Sequence, residues 1–147
     1  MTDAQFLRAL ESCTLSPAEF GHQGHVRAAF LCLQQGEFAE ALQRVRRAIR
    51  NFATHHGSPE RYHETMTVAF VALIQERMFE SGVRGGWPEF AGENPQLLDA
   101  GVLGQFYRRA ELESPLARSV FLLPRHAAGL TAPADLRTAA SGQAAPA

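Results

Sequence analysis

Lysine is missing from this chain: its fourteen basic residues are all arginine. That removes Schiff-base catalysis on a lysine, and the lysine of a phosphate-binding P-loop, from the available chemistries. Cysteine is scarce. Cys13 and Cys32 form no CxxC pair, and Cys32 stands in an apolar run where a free thiol behaves as a small hydrophobe. Neither a disulfide framework nor a cysteine zinc site is expected. Net charge is only −1, which leaves no electrostatic footprint for nucleic acid or a membrane surface. The longest uncharged apolar run, Val68 to Ile74, is far too short to span a bilayer. The N-terminal stretch carries Asp3 and Glu11 and no apolar h-region, so no signal peptide is expected and the expected compartment is the cytoplasm. GxGxxG, GxxxxGK[ST], HExxH and GxSxG are all absent. His63-Glu64 begins like HExxH, but no second histidine follows.

What is present is helical punctuation. No stretch alternates with period two, and four expected helices open with Ser-Pro or Asn-Pro, where the missing N–H costs nothing. The 147 residues are enough for one domain with a real core. The expectation is an all-α, irregular bundle of about five or six helices over residues 1–130, with a disordered tail over 131–147 that has little to bury.

Residues 2–12 form the first expected helix, burying Phe6, Leu7 and Leu10. Ser16-Pro17-Ala18-Glu19 reads as a capping box, but Gly21 and Gly24 leave open whether one helix runs from 17 to 35 or breaks near Gly21. From His25 the helical pattern is firm, and Gly36 ends it. Phe38 to Thr54 is amphipathic, with Leu42, Val45, Ile49 and Phe52 inward and Arg44, Arg46, Arg47 and Arg50 on a solvated outer face. Gly36-Glu-Phe-Ala-Glu-Ala-Leu resembles a tetratricopeptide helix junction, but nothing repeats near position 70, so a plain helical hairpin is expected. The next helix starts at Ser58-Pro59 and runs to about Glu80. Beyond a loop over 82–94, short helices are expected from Asn94-Pro95 to Leu98, from Gly104 to Ala110 with Phe106 and Tyr107 inward, and from Ser114-Pro115, burying Leu116, Val120 and Phe121.

Two places gather reactive side chains. His22 and His25, three apart, share a helix face, and His63 falls on the apolar stripe His63, Thr67, Phe70, Ile74. Three imidazoles from two helices suit a metal in a bundle core: zinc, iron, manganese, nickel or copper. Glu64 is the candidate catalytic base or fourth ligand, and Arg27, Tyr62 and Thr67 are the candidates for substrate contact. The alternatives are structural. Arg27 and Glu64 would pair between helices, the imidazoles would be core residues, His55 and His56 would sit at a helix C-terminus as favoured cations, and Trp87 would anchor a loop.

Phe20-x-His22-x-x-His25-x-Arg27-x-Ala29 and His56-Gly57-x-x-x-Arg61-Tyr62-His63-Glu64-Thr65-x-Thr67 resemble a family of small uncharacterised bacterial proteins. Trp87-x-x-Phe90, Asn94-Pro95-x-Leu97-Leu98 and Ser114-Pro115-Leu116-Ala117-Arg118 extend the resemblance over roughly residues 20–124. It implies no activity, only that these polar residues belong to one site. The leading expectation is a metal-dependent enzyme of hydrolase or lyase type, or a metal-binding protein, acting on a small molecule and binding neither nucleic acid nor membrane. The rivals are a non-catalytic helical module for a protein partner or a homodimer, and a metal-free site in which His63 and Glu64 act as an acid–base pair.

Overall fold

The computed structural model describes residues 1–82 and 85–124. Among them there is no strand, and the fold is all-α as expected. Three helices form the centre: α2 (His22–Gln35), α3 (Phe38–His55) and α4 (Glu64–Ser81), each packed on the other two. In chain order α1 is Asp3–Glu11, α5 is Trp87–Glu93, α6 is Arg109–Leu112 and α7 is Pro115–Ser119. α1 lies on α2 and α3, α5 on α2, and α7 on α4. None of the helices described is long and apolar enough to cross a membrane. The expected tail, 131–147, lies outside the described residues.

α2 is buried almost all round, at Val26, Ala28, Ala29, Phe30, Leu31 and Cys32. Phe30 is fully enclosed and stacks on Phe90 of α5, ring centroids 4.5 Å apart, with Trp87 at 6.0 Å. Trp87 therefore packs against the core, as the structural reading had it. α2 begins at His22, not at Ser16. Ser16 and Glu19 do exchange capping hydrogen bonds, at 2.9 and 3.3 Å, but they close a single turn before the extended backbone of Gly21. Gly24 is needed for close packing: a Cβ there would lie 3.0 Å from the Phe20 ring and 3.2 Å from the Glu19 carbonyl oxygen.

α2 and α3 form the hairpin the sequence suggests. The buried stripe of α3 is Ala41, Val45, Ala48 and Phe52, with Leu42 and Ile49 at its edge. Gly57, at φ +71°, closes α3 in the left-handed region that glycine enters without penalty.

The largest departure from expectation follows. Ser58-Pro59 opens only a 3₁₀ turn, Pro59–Arg61; Tyr62 and His63 are extended, and α4 starts at Glu64. Near the C-terminus the expected Gly104–Ala110 helix is replaced by a 3₁₀ turn at Ala100–Gln105 and by α6. The Asp99 carboxylate accepts the Gly101 N–H and starts the turn early, and Glu111 accepts the Arg108 N–H and restarts the helix. Tyr107 is buried as expected, and Phe106 partly so. α7 buries Ala117 alone; Leu116, Val120 and Phe121 are exposed, against expectation. The cause is Thr65 of α4. Its hydroxyl donates to the Val120 carbonyl at 2.7 Å and accepts the Leu122 N–H at 3.0 Å, so the chain leaves α7 extended at Val120.

Candidate functional site

The polar motif residues fall into three separate places. His22, His25, His63 and Thr67 come together: with Arg61 they line a cavity of about 150 Å³ between α2, α3 and α4, walled otherwise by apolar side chains including Ile49, Met66 and Phe70. An outer lobe of about 430 Å³ shares His22, His25 and Arg61 and adds Phe20, His56 and Tyr62. Arg27 and Glu64 line neither lobe.

Arg27 instead joins α2 to α1. Its Nε donates to Asp3 Oδ1 at 3.0 Å, and its guanidinium lies 4.6 Å from the Phe6 ring centroid. Glu64 is buried at the head of α4 and faces α3. It accepts from Tyr62 Oη at 2.5 Å, and Arg46 and Arg50 approach it at 2.9 and 3.3 Å. Arg50 also lies 4.4 Å over the Tyr62 ring. Burial, and then the adjacent Glu64 carboxylate, raise the Tyr62 phenol above its ordinary pKa, so it stays a neutral donor. The supposed solvated arginine face is thus in part an ion-pair network: Arg44 likewise bonds Glu11 and Gln35, at 2.5 and 2.7 Å.

His63 is not on the helical stripe but at the N-cap of α4. Its Nδ1 accepts the Met66 N–H at 3.2 Å, which fixes the tautomer with the proton on Nε2, and Nε2 donates to the Leu112 carbonyl at 2.7 Å. Both nitrogens are engaged, so a metal at His63 would have to displace one of these bonds. Thr67 returns its hydroxyl to the His63 carbonyl at 2.8 Å. His22 uses Nε2 to reach the Leu97 carbonyl at 2.9 Å and rests against Phe70, leaving Nδ1 without a partner among the described residues.

His25 differs from these two imidazoles: its ring makes no hydrogen bond with any described residue. Its ring packs edge-on against Phe20 at 4.2 Å; Phe20 packs on Phe52 at 4.7 Å, and Phe52 on His56 at 4.3 Å. Burial, then the neighbouring His22 and Arg61, push its pKa down to about 4, so at neutral pH it is an uncharged imidazole open to both lobes. His56 Nε2 is buried with no hydrogen-bond partner, on the wall of the outer lobe. Among the described residues, no three His, Cys, Asp or Glu side chains stand together in a way that could hold one metal ion.

Sequence reading missed Arg61 and His56 as cavity residues. Glu64, three residues after Arg61, would pair with it on a continuous helix. The extended backbone at Tyr62 and His63 prevents that and sends Glu64 to α3. No protein-family model, curated protein or solved structure matches the chain.

Proposed function

We propose that this protein binds a small molecule in the cavity between α2, α3 and α4 and uses His25 there as its acid–base group. One observation carries the reading: alone among the three clustered motif imidazoles, the His25 ring has no hydrogen bond with a described residue while facing both lobes. A half-buried imidazole whose ring nitrogens bond no described residue is open to a ligand or to water. As a neutral group it accepts a hydrogen bond from a ligand hydroxyl, amide or water within reach. The inner lobe has the volume of a single small ring, about that of an engineered cavity that holds benzene.

A second reading keeps the metal. His22 donates Nε2–H to a backbone carbonyl, which is how metal-ligating imidazoles are commonly oriented, and its Nδ1 is unpartnered. A transition metal would then sit on His22 and His25, with water or ligand completing its coordination, and would lower the pKa of that water toward neutrality.

A fragment screen followed by amide chemical shifts tests the first reading, with Ala29→Leu as the control that fills the inner lobe. Compounds should perturb α2 and α4 around His25 and Thr67, and stabilise the protein by about 2.7 kcal/mol at one hundred times Kd. Ala29→Leu should abolish both effects. Perturbations centred elsewhere, or undiminished in the variant, would overturn the reading. Elemental analysis of tag-free protein beside His25→Ala decides the second: one equivalent of metal, lost in the variant, would install the metal, and metal-free protein that still binds fragments would remove it.

A further inference from the structure

We propose that the ligand of this cavity is a compact monocarboxylate, its carboxylate on Arg61 and its apolar body in the inner lobe. This rests on the preceding reading of the cavity as the ligand site.

The charge lining the cavity is one-sided. Among the described residues no aspartate or glutamate lines either lobe, whereas Arg61 lines both. Arg61 is exposed, and its side chain has no ion pair or hydrogen bond with any described residue. Arg46 and Arg50, a short distance along the chain, are both committed to Glu64. An arginine held at a cavity mouth with nothing opposite it is suited to a ligand anion, and its planar fork matches a carboxylate with two parallel hydrogen bonds.

The charge type follows from the count. Among the described residues Arg61 is the only permanent cation on either wall, and His25 is neutral at pH 7 because burial disfavours its charged form. One positive charge balances a monoanion; a phosphate dianion would leave a charge uncompensated beside apolar walls. The shape of the body follows from the inner lobe. Val45, Ile49, Phe70 and Val71 offer hydrophobic contact, and the volume admits one ring or a short branched chain. Thr67, bonded to the His63 carbonyl, and His63, bonded to the Met66 N–H and the Leu112 carbonyl, add little further polarity. A carboxylate on Arg61 would also stand near His25 and favour its protonated form, preparing it to donate a proton to the bound molecule.

Calorimetric titration with benzoate and with benzamide, its uncharged analogue, tests this on the full chain at pH 7.5. Benzoate should bind about tenfold or more tighter than benzamide, the margin expected for a hydrogen-bonded charge pair. Arg61→Gln, at an exposed position, should remove that margin by weakening benzoate about tenfold and benzamide far less, while Ala29→Leu should weaken both. Equal binding of the two probes, or benzoate binding insensitive to Arg61→Gln, would overturn the carboxylate. The cavity reading would still stand if Ala29→Leu weakens benzamide. If neither probe binds at millimolar concentration, the monocarboxylate inference falls; if both bind equally well to Ala29→Leu, the cavity reading falls as well.

Discussion

His63 shows how one side chain can look like a site and serve as a fastener. One ring nitrogen caps α4 through the Met66 N–H, and the other holds the Leu112 carbonyl of α6. Losing an N-cap costs about 1 kcal/mol, and leaving a buried carbonyl without its donor costs about as much again. His63→Ala should therefore lower unfolding stability by about 2 kcal/mol, read from urea denaturation at neutral pH. His63→Asn, which keeps an acceptor for the Met66 N–H, should lose about half of that. An undiminished midpoint in His63→Ala would show that neither bond matters. The sequence reading had the right residue and the wrong place. It put His63 on a continuous helical stripe from Ser58, but periodicity does not reveal that Tyr62 and His63 are extended. Glu64 was misplaced for the same reason: its partners, Arg46 and Arg50, are 18 and 14 residues away on another helix.

Among the elements, those set by local sequence were legible and those set by distant side chains were not. α2 and α3 follow from apolar spacing and from the stops at Gly36 and Gly57, and the structure places both close to the expected bounds. The segment after α7 has no such local determinant. Thr65 grips it across 55 and 57 residues of chain, and Tyr107 adds a hydrogen bond to the Leu122 carbonyl at 2.8 Å. Thr65 is fully buried. Thr65→Val keeps the shape and removes the hydroxyl, so it should cost about 1–2 kcal/mol, because a carbonyl and an N–H lose their partner. Hydrogen exchange should locate the effect. The Leu122 amide should lose protection while the amides of α4 keep theirs; equal loss along α4 would mean that Thr65 supports the whole bundle, not this one strap.

For the molecule as a whole, the three-helix centre makes the candidate cavity an acid-sensitive feature. His25 is held near pKa 4 instead of its ordinary 6.5 by burial and by the positive groups facing it, His22 on its own helix and Arg61 on the turn after α3. The unfolded chain therefore binds a proton on His25 that the folded chain refuses between those two values. This contribution to stability is complete above pH 6.5 and declines as pH falls toward 4, by an amount on the order of 3 kcal/mol. Urea midpoints at pH 7 and pH 4.5 should separate in the wild type and draw together in His25→Gln. A carboxylate bound in the cavity should narrow the same gap, by favouring the protonated ring. The all-helical class and the three histidines that share the cavity were legible in the sequence. The division of labour among those histidines was not, since it depends on which carbonyls, Leu97 and Leu112, the fold brings to His22 and His63. Those fastenings have a consequence for how the chain can vary. His22, His63, Thr65, Tyr107 and Arg118 all end on main-chain oxygens, at Leu97, Leu112, Val120, Leu122 and Glu60. A carbonyl is the same atom whichever side chain follows it. The fastening residues are therefore fixed letters, whereas Val120, an exposed partner, is a free one and can be rewritten without loosening the Thr65 hydrogen bond.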